Sequence, residues 1–375
     1  MKKILIVGAG IAGLSLARQL KKLAVPFTLI EKRSELTIEG AGIALPANAV
    51  KALRHIGIGK ELDKLAHQVE EIIYAKSSGQ ILSRASLLTA PLNLDRFVAL
   101  PRYRLLEILQ HGLDVPIQFN TTLDQLKDVE DTYSTIVAAD GIHSQVRQSA
   151  FGNIELIDFG VTTWRWICEY PTADLQPTYM FGRQDLLMAY PMGKNSVYCY
   201  AHAYDPENKY SIASDALNHV RRHFGDYQGV AADLLDRTRI DTPIIPGRLR
   251  SIPRAFFTKG NVALVGDASS ACSPLLQQGA ACALEDVIVL SELLAEFPNQ
   301  KALAYYEQYR KERVNWILQT SDAPLYMLKK MRSPFFCFLR NILLRLKGPL
   351  NVQGWRKLLA ADPIATLPAF VEANK

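Results

Sequence analysis

The 375-residue chain lacks any run of about 18 apolar residues, so no membrane-spanning helix is expected. Its amino end offers only Ile4 to Val7 as an apolar stretch before Gly8. A secretory signal needs roughly 7–15 such residues, and the short run reads instead as a buried strand. Cysteine is sparse: Cys168, Cys199, Cys272, Cys282 and Cys337 stand far apart, with no CxxC among them. An odd count without ligand spacing argues against a zinc site or a disulfide framework, and indicates reduced thiols in the cytosol. No internal repeat and no low-complexity tract is visible. There is also no zinc-finger spacing and no aromatic-rich platform for single strands, so the net charge of +6 is not read as a nucleic-acid signature.

What is present is an apolar share of 49%, close to globular averages, on a chain long enough for two cores. The positive charge is concentrated at one end: residues 301–375 hold 13 Lys/Arg against 5 Asp/Glu. Within that region, Tyr326 to Lys347 mixes Phe335, Phe336, Phe338, Leu339, Leu343 and Leu344 with Lys329, Lys330, Arg332, Arg340 and Arg345. A basic amphipathic helix lies on a membrane surface or, more commonly, caps its own domain or a dimer interface. Both uses remain open at the level of sequence, as does the oligomeric state.

The opening reads as strand, glycine turn, helix, strand. Lys3 to Val7 is a continuous apolar strand, Ile11 to Leu23 has helical spacing, and Phe27 to Ile30 is the second strand of a βαβ unit. Between them lies Gly8-Ala9-Gly10-Ile11-Ala12-Gly13, a GxGxxG motif. Gly8 permits the tight turn, Gly10 lets backbone approach a pyrophosphate, and Gly13 lets helix and strand pack closely. Glu31 closes the second strand, where a carboxylate accepts hydrogen bonds from an adenosine ribose. The motif alone does not separate NAD from FAD.

Further along, Val69 to Leu82 alternates around Ser78-Gly79 as a hairpin, and Arg102 to Gln110 reads as helix. Ile136 to Ala139 is a buried strand ending in Asp140-Gly141, and Gly160 to Tyr204 reads as an antiparallel sheet. Ala216 to Phe224 and Val230 to Leu235 look helical. Asn261 to Val265 is a strand ending in Gly266-Asp267-Ala268, followed by Pro274 and the turn Gln277-Gln278-Gly279-Ala280 before a helix. A carboxylate at a strand end can bind polyol hydroxyls, and a glycine turn opening a helix presents free N–H groups and a positive dipole end. Beyond Ala280 the chain is expected to be mostly helix, broken at Pro298, Pro324, Pro334 and Pro349.

Taken in order, these segments resemble the FAD-dependent aromatic hydroxylases, the single-component flavin monooxygenases of the p-hydroxybenzoate and salicylate hydroxylase type. The resemblance spans nearly the whole chain. It rests on Gly8 to Gly13, Glu31-Lys32-Arg33, Gly42-Ile43 with Pro46 and Asn48, Arg102 with Leu105 and Leu109, Ala139-Asp140-Gly141 with Ser144, Val146 and Arg147, and Gly266-Asp267-Ala268 with Pro274. It implies an α/β fold: a Rossmann-like FAD-binding domain, an inserted, mostly antiparallel substrate domain, and a C-terminal helical region. The FAD-binding parts would be 1–70, 99–155 and 255–298, the substrate parts 71–98 and 156–254, and the helical region 299–375.

By the same resemblance, FAD would be held by Gly8, Gly10, Ile11, Ala12, Gly13, Glu31, Lys32, Arg33, Gly42, Ile43, Arg102, Asp140, Gly266, Asp267, Pro274, Gln278, Gly279 and Ala280. Arg165, in Thr163-Trp164-Arg165-Trp166, resembles a family strand and would stand at the flavin or active site, unless it is a surface arginine. NAD(P)H would act as a transient reductant, a C4a-hydroperoxide would form on the reduced flavin, and a small aromatic or other electron-rich substrate would be hydroxylated. No metal is implied. His202 and Tyr190 could hydrogen-bond a phenol, but a structural role is the expectation for both. Two departures stand out: Ser269-Ser270 replace the usual Ala-His, and Gln277 replaces a glycine. The expectation for Gln277 is a rebuilt turn whose side-chain amide donates to the flavin ring. The rival readings are a flavin dehydrogenase or reductase without oxygen insertion, and a degenerate FAD-binding protein.

Overall fold

The structure is a computed structural model that describes residues 3–36, 41–123, 125–129 and 131–375. Lys3–Val7 is apolar after its first residue, and those four residues are all buried, the pattern of a strand covered on both faces. It lies near the middle of a six-stranded sheet. The spatial order is Thr258–Lys259, Val262–Leu264, Tyr133–Ala138, Lys3–Val7, Phe27–Ile30, Ile117–Gln118. All neighbours are parallel except the first two. From Lys3–Val7 the chain goes to Phe27–Ile30 on one side, and the strand Tyr133–Ala138 returns on the other. That reversal opens a crevice at the carboxyl ends of these strands, where open α/β sheets bind ligands. The helices Ile11–Lys22 and Gly279–Glu296 pack against each other beside it.

A seven-stranded sheet runs in the order Ile245–Ser251, Ile157–Glu169, Ser196–Tyr204, Asp185–Pro191, Thr178–Phe181, Glu71–Lys76, Ile81–Ser86. Its pairings are antiparallel except Thr178–Phe181 with Glu71–Lys76. Alternation sends Trp164, Trp166, Leu187, Cys199 and Ala201 to one face, where they join Val220, Phe224 and Leu234 of the helices Ala216–Phe224 and Val230–Arg237 in a separate core. The other face carries a transverse row set by register, Arg165–Tyr200–Met188–Tyr179–Tyr74. The four uncharged members of that row are buried in the large core shared with the parallel sheet. A small third sheet, Gly42–Leu45, Phe97–Pro101 and His67–Val69, has its strands on either side of the hairpin Glu71–Ser86 in sequence.

The carboxyl-terminal part is helical: Asn299–Met327, Pro334–Lys347, Leu350–Ala360 and Pro363–Asn374. The expected break at Pro324 does not occur, because Pro324 sits inside the first of these helices. A proline this close to a helix end removes one backbone donor, and the helix runs on only to Met327. Among the described residues no helix is long and apolar enough to cross a membrane.

Candidate functional site

A cleft of about 590 Å³ opens where the strands Lys3–Val7 and Tyr133–Ala138 end, lined among others by Gly8, Gly10, Glu31, Lys32, Arg33, Arg102 and Asp140. The three glycines of the first motif do three different things. Gly8 has φ +103°, in the region that L side chains avoid. A Cβ at Gly13 would stand 1.8 Å from the Gly8 carbonyl oxygen. A Cβ at Gly10 would meet nothing within 4 Å, because Gly10 faces the cleft. Glu31 is anchored from both sides: its Oε2 accepts from the Ala9 N–H at 2.7 Å and its Oε1 from the Arg33 N–H at 3.1 Å. Asp140 Oδ2 accepts from the N–H groups of Gln145 and Val146, while its Oδ1 is buried with no protein partner. Burial raises the Asp140 carboxyl. An open glycine at a helix start, an anchored ribose-type carboxylate and an orphaned carboxylate oxygen fit the adenosine diphosphate half of FAD.

The second motif meets the first. Gly266 has φ +58°, and a Cβ there would lie 2.9 Å from the Ala283 Cβ and 3.4 Å from the Ala12 Cβ. The Gly266-Asp267 turn is therefore wedged between the helix of the first motif and the helix Gly279–Glu296. A Cβ on Gly279 would be 3.9 Å from Asp267 Oδ1, so this carboxylate sits at the start of that helix. Asp267 is open to solvent on one side and enclosed by protein on the others; this desolvation raises its carboxyl, and Arg102 opposes the shift. Burial lowers the Arg102 guanidinium, offset by Asp267, with Arg165 and Arg33 also within electrostatic reach. Arg165 is half-buried on the sheet face that carries Tyr200, and its Nε is buried without a partner. Ile11, Ala12 and Ala280 start the two helices, and Pro274 opens the one-turn helix Pro274–Leu276.

Several residues act from behind. Arg147 is fully buried and donates to the carbonyls of Ala268 at 2.9 Å and Ile142 at 2.5 Å, tying the two aspartate turns together. Gln278 was expected to touch the cofactor. Its side chain is fully buried instead, accepting from Asn48 Nδ2 at 3.0 Å, so it braces the turn. Asn48 also donates to Glu285 at 2.8 Å. Glu285 is gripped by Arg310 and Arg313, and Arg310 reaches on to Asp286, whose Oδ2 accepts from the Gly266 N–H at 3.0 Å. Burial pushes the Glu285 carboxyl up, but Arg313 and Arg310 more than offset it and hold it at about 2. This network is not among the sequence expectations, which go no further than helix beyond Ala280. The available signal was Arg310 and Arg313, charged residues that fall at helical spacing on the face that carries buried Leu303, Tyr306 and Val314. Gly42 and Ile43 stand half-buried on the strand Gly42–Leu45; the bare Cα of Gly42 makes room for Tyr198, whose ring a Cβ would overlap at 2.4 Å, and Ile43 packs against the core.

The largest correction concerns Gln277. It adopts the left-handed backbone a glycine would prefer, φ +50°. Its amide does not wait for a ring: Nε2 donates to the hydroxyls of Tyr179 and, at 3.0 Å, Tyr190. Tyr179 also accepts from Asn351 Nδ2 at 2.9 Å, and Tyr74 donates to Asn351 Oδ1 at 2.9 Å. A left-handed non-glycine residue costs about 1 kcal/mol, and each hydrogen bond returns about 1 kcal/mol. Gln277→Gly is therefore expected to destabilise the protein modestly and to raise the peroxide fraction, measured by thermal unfolding of the FAD-loaded form and by peroxide released per NAD(P)H. A more stable, better coupled variant would show the glutamine to be an obstruction.

The fold and the two joined motifs define a dinucleotide-binding flavoprotein whose second sheet packs on the same core as the first. The model of the FAD binding domain family matches residues 1–322, and the chain belongs to that family. It is 30% identical over 365 residues to 2-heptyl-3-hydroxy-4(1H)-quinolone synthase from Pseudomonas aeruginosa, covering 92% of this chain and 94% of that protein. Aurachin C monooxygenase/isomerase from Stigmatella aurantiaca is 25% identical over 376 residues, 94% of this chain and 96% of that one. Among solved structures, Klebsiella pneumoniae HpxO complexed with FAD and uric acid superposes with a TM-score of 0.77 at 22% identity, over 99% of this chain and 96% of that one. The chain is an FAD-dependent oxidoreductase of the monooxygenase class.

Proposed function

We propose that the enzyme hydroxylates a neutral aromatic or heteroaromatic ring bearing an apolar substituent, with NAD(P)H as transient reductant, in the reducing cytosol. The observation that carries this reading is the face of the seven-stranded sheet opposite the Asp267–Gln277 segment. Arg165, Tyr198, Tyr200 and His202 stand on it beside Met188 and Leu186. Burial pushes the Tyr198 hydroxyl up to about 12, with Arg165 opposing, and raises Tyr200 as well. Burial alone lowers His202 to about 4. At neutral pH both tyrosines therefore stay protonated and the imidazole stays neutral, 3.3 Å from the Tyr200 hydroxyl. This set can donate to and accept from a ring carbonyl, hydroxyl or N–H without demanding charge. Arg165 is the one cation in it, placed to orient a substrate oxygen.

FAD would be held by Gly8, Gly10, Ile11, Ala12, Gly13, Glu31, Lys32, Arg33, Arg102, Asp140, Asp267 and the helix start at Gly279-Ala280, and when bound supplies the redox and oxygen-activating chemistry. The protein's part would be to orient the ring and exclude water, and the aromatic face is suited to both. The apolar substituent is supported by the quinolone synthase relative, whose named product carries a heptyl chain. The test is NADH and NADPH oxidation under labelled dioxygen across 4-quinolones and phenols, with and without alkyl chains. Label is expected in the product of alkyl-bearing neutral rings. Efficient turnover of small anionic aromatics alone would overturn the proposal, and NAD(P)H-driven flavin reduction with no labelled product on any ring would favour the reductase reading.

A further inference from the structure

Sixteen large apolar side chains are exposed among the described residues, and ten of them lie between 326 and 350. They concentrate on the helix Pro334–Lys347, which packs in the reverse of the usual sense. Its inward face is Leu344, buried in the main core, with Cys337, Asn341 and Arg340 partly buried beside it. Arg340 is engaged inward, donating to the Gly182 carbonyl at 2.7 Å with its guanidinium over the Phe181 ring. At 3.6 residues per turn, Phe335, Leu339, Ile342 and Leu346 then fall on one outward line, with Phe338 on one flank and Phe336 and Leu343 on the other. All seven are exposed, Leu346 to 80% and Phe335 to 62%. Arg345 and Lys347 border this stripe on opposite sides.

The charge around it has one sign. Residues 323–361 hold eight Lys/Arg and no Asp/Glu. Lys329, Lys330, Arg332, Arg345 and Lys347 are exposed, and none of them appears in an ion pair of the described residues. A second copy of the chain set symmetrically on this face would bring like charges together. A negatively charged lipid surface satisfies both features: acyl chains take up the apolar stripe and headgroup phosphates pair with the flanking cations.

We propose that the helix Pro334–Lys347 is an interfacial anchor that docks the enzyme in the plane of an anionic phospholipid bilayer, with the Phe335–Leu346 stripe inserted and Lys329, Lys330, Arg332, Arg345 and Lys347 at the headgroups. The anchor is coupled to the site through the next helix, Leu350–Ala360. From that helix Asn351 donates to Tyr179, and Trp355 donates to the Leu276 carbonyl at 2.9 Å, one residue before Gln277. The proposal does not rest on the substrate assigned above.

The test is sedimentation of the full-length, FAD-loaded protein with vesicles of phosphatidylglycerol and phosphatidylcholine, and with phosphatidylcholine alone. Binding is expected on the anionic vesicles and to weaken at high salt. The triple change Phe335→Ser, Leu339→Ser, Leu346→Ser should weaken it at least about tenfold, and Lys329→Glu with Lys330→Glu should weaken it similarly. FAD content and NAD(P)H oxidation in solution should be unchanged in both variants, which shows that they fold. No binding to anionic vesicles, or equal binding by the triple variant, would overturn the proposal. So would a dimer in sedimentation velocity that the triple change dissociates, since the stripe would then be a subunit interface.

Discussion

Gly13→Ala is expected to purify almost free of flavin. The added methyl would sit 1.8 Å from the Gly8 carbonyl oxygen and 3.0 Å from the Gly8 carbonyl carbon, so backbone must move apart. Overpacking of this kind costs about 1–3 kcal/mol, and here it displaces the turn that lines the cleft. Gly10→Ala is the informative contrast, because its methyl meets no protein atom within 4 Å. It should leave the thermal stability of the flavin-free protein unchanged and weaken FAD alone. The measurements are flavin-to-protein ratio after purification and unfolding of the apo forms. If Gly10→Ala bound FAD normally, the cofactor phosphates would not pass over this turn.

Arg310→Met is expected to be the most damaging single change outside the cleft. Arg310, Glu285 and Asp286 are all essentially inaccessible to solvent, and the arginine touches both acids at 2.8 Å. Removing one partner from a buried ionic cluster costs about 3–5 kcal/mol, because the remaining charge is left uncompensated. The loss should reach the cofactor as well, since Asp286 holds the Gly266 N–H. Glu285 also sets a pH signature. Its folded pKa of about 2 lies below its ordinary 4.5, so its contribution is complete above about 4.5 and is lost as pH falls toward 2. Burial raises Asp286, which faces one arginine, and this works in the opposite sense. Acid titration of stability should therefore show the wild type gaining between pH 2 and 4.5 a contribution that Glu285→Gln lacks. Identical profiles would mean that Glu285 is not held as an anion.

The βαβ opening, the two aspartate turns and the alternating sheet were all readable in sequence, because each depends on neighbours a few residues away. Glycine tolerates φ +103° wherever it stands, and a strand alternates whatever it packs on. The Gln277 side chain was not readable. Its partners Tyr179 and Tyr190 are 98 and 87 residues away, and a turn one residue different would have aimed the amide elsewhere. Gln278 shows the same limit, because its partner Asn48 lies 230 residues off. The family pattern picks out this segment, yet it does not say which side chains face the cleft and which brace the turn.

The sequence by itself determined a dinucleotide-type site, since close backbone approach, a helix start and a strand-end carboxylate are chemical requirements met by local residue choice; FAD rather than NAD followed only from the motifs taken together in order. It also determined that the carboxyl-terminal helices would be basic and amphipathic. Only the tertiary structure decided which way the helix Pro334–Lys347 faces. Periodicity defines an apolar stripe but not its direction, and burial ordinarily turns such a stripe inward. Here Leu344 and Arg340 take the inward positions against the core and the Phe181–Gly182 turn, and the packing of those two side chains leaves Phe335 to Leu346 facing out.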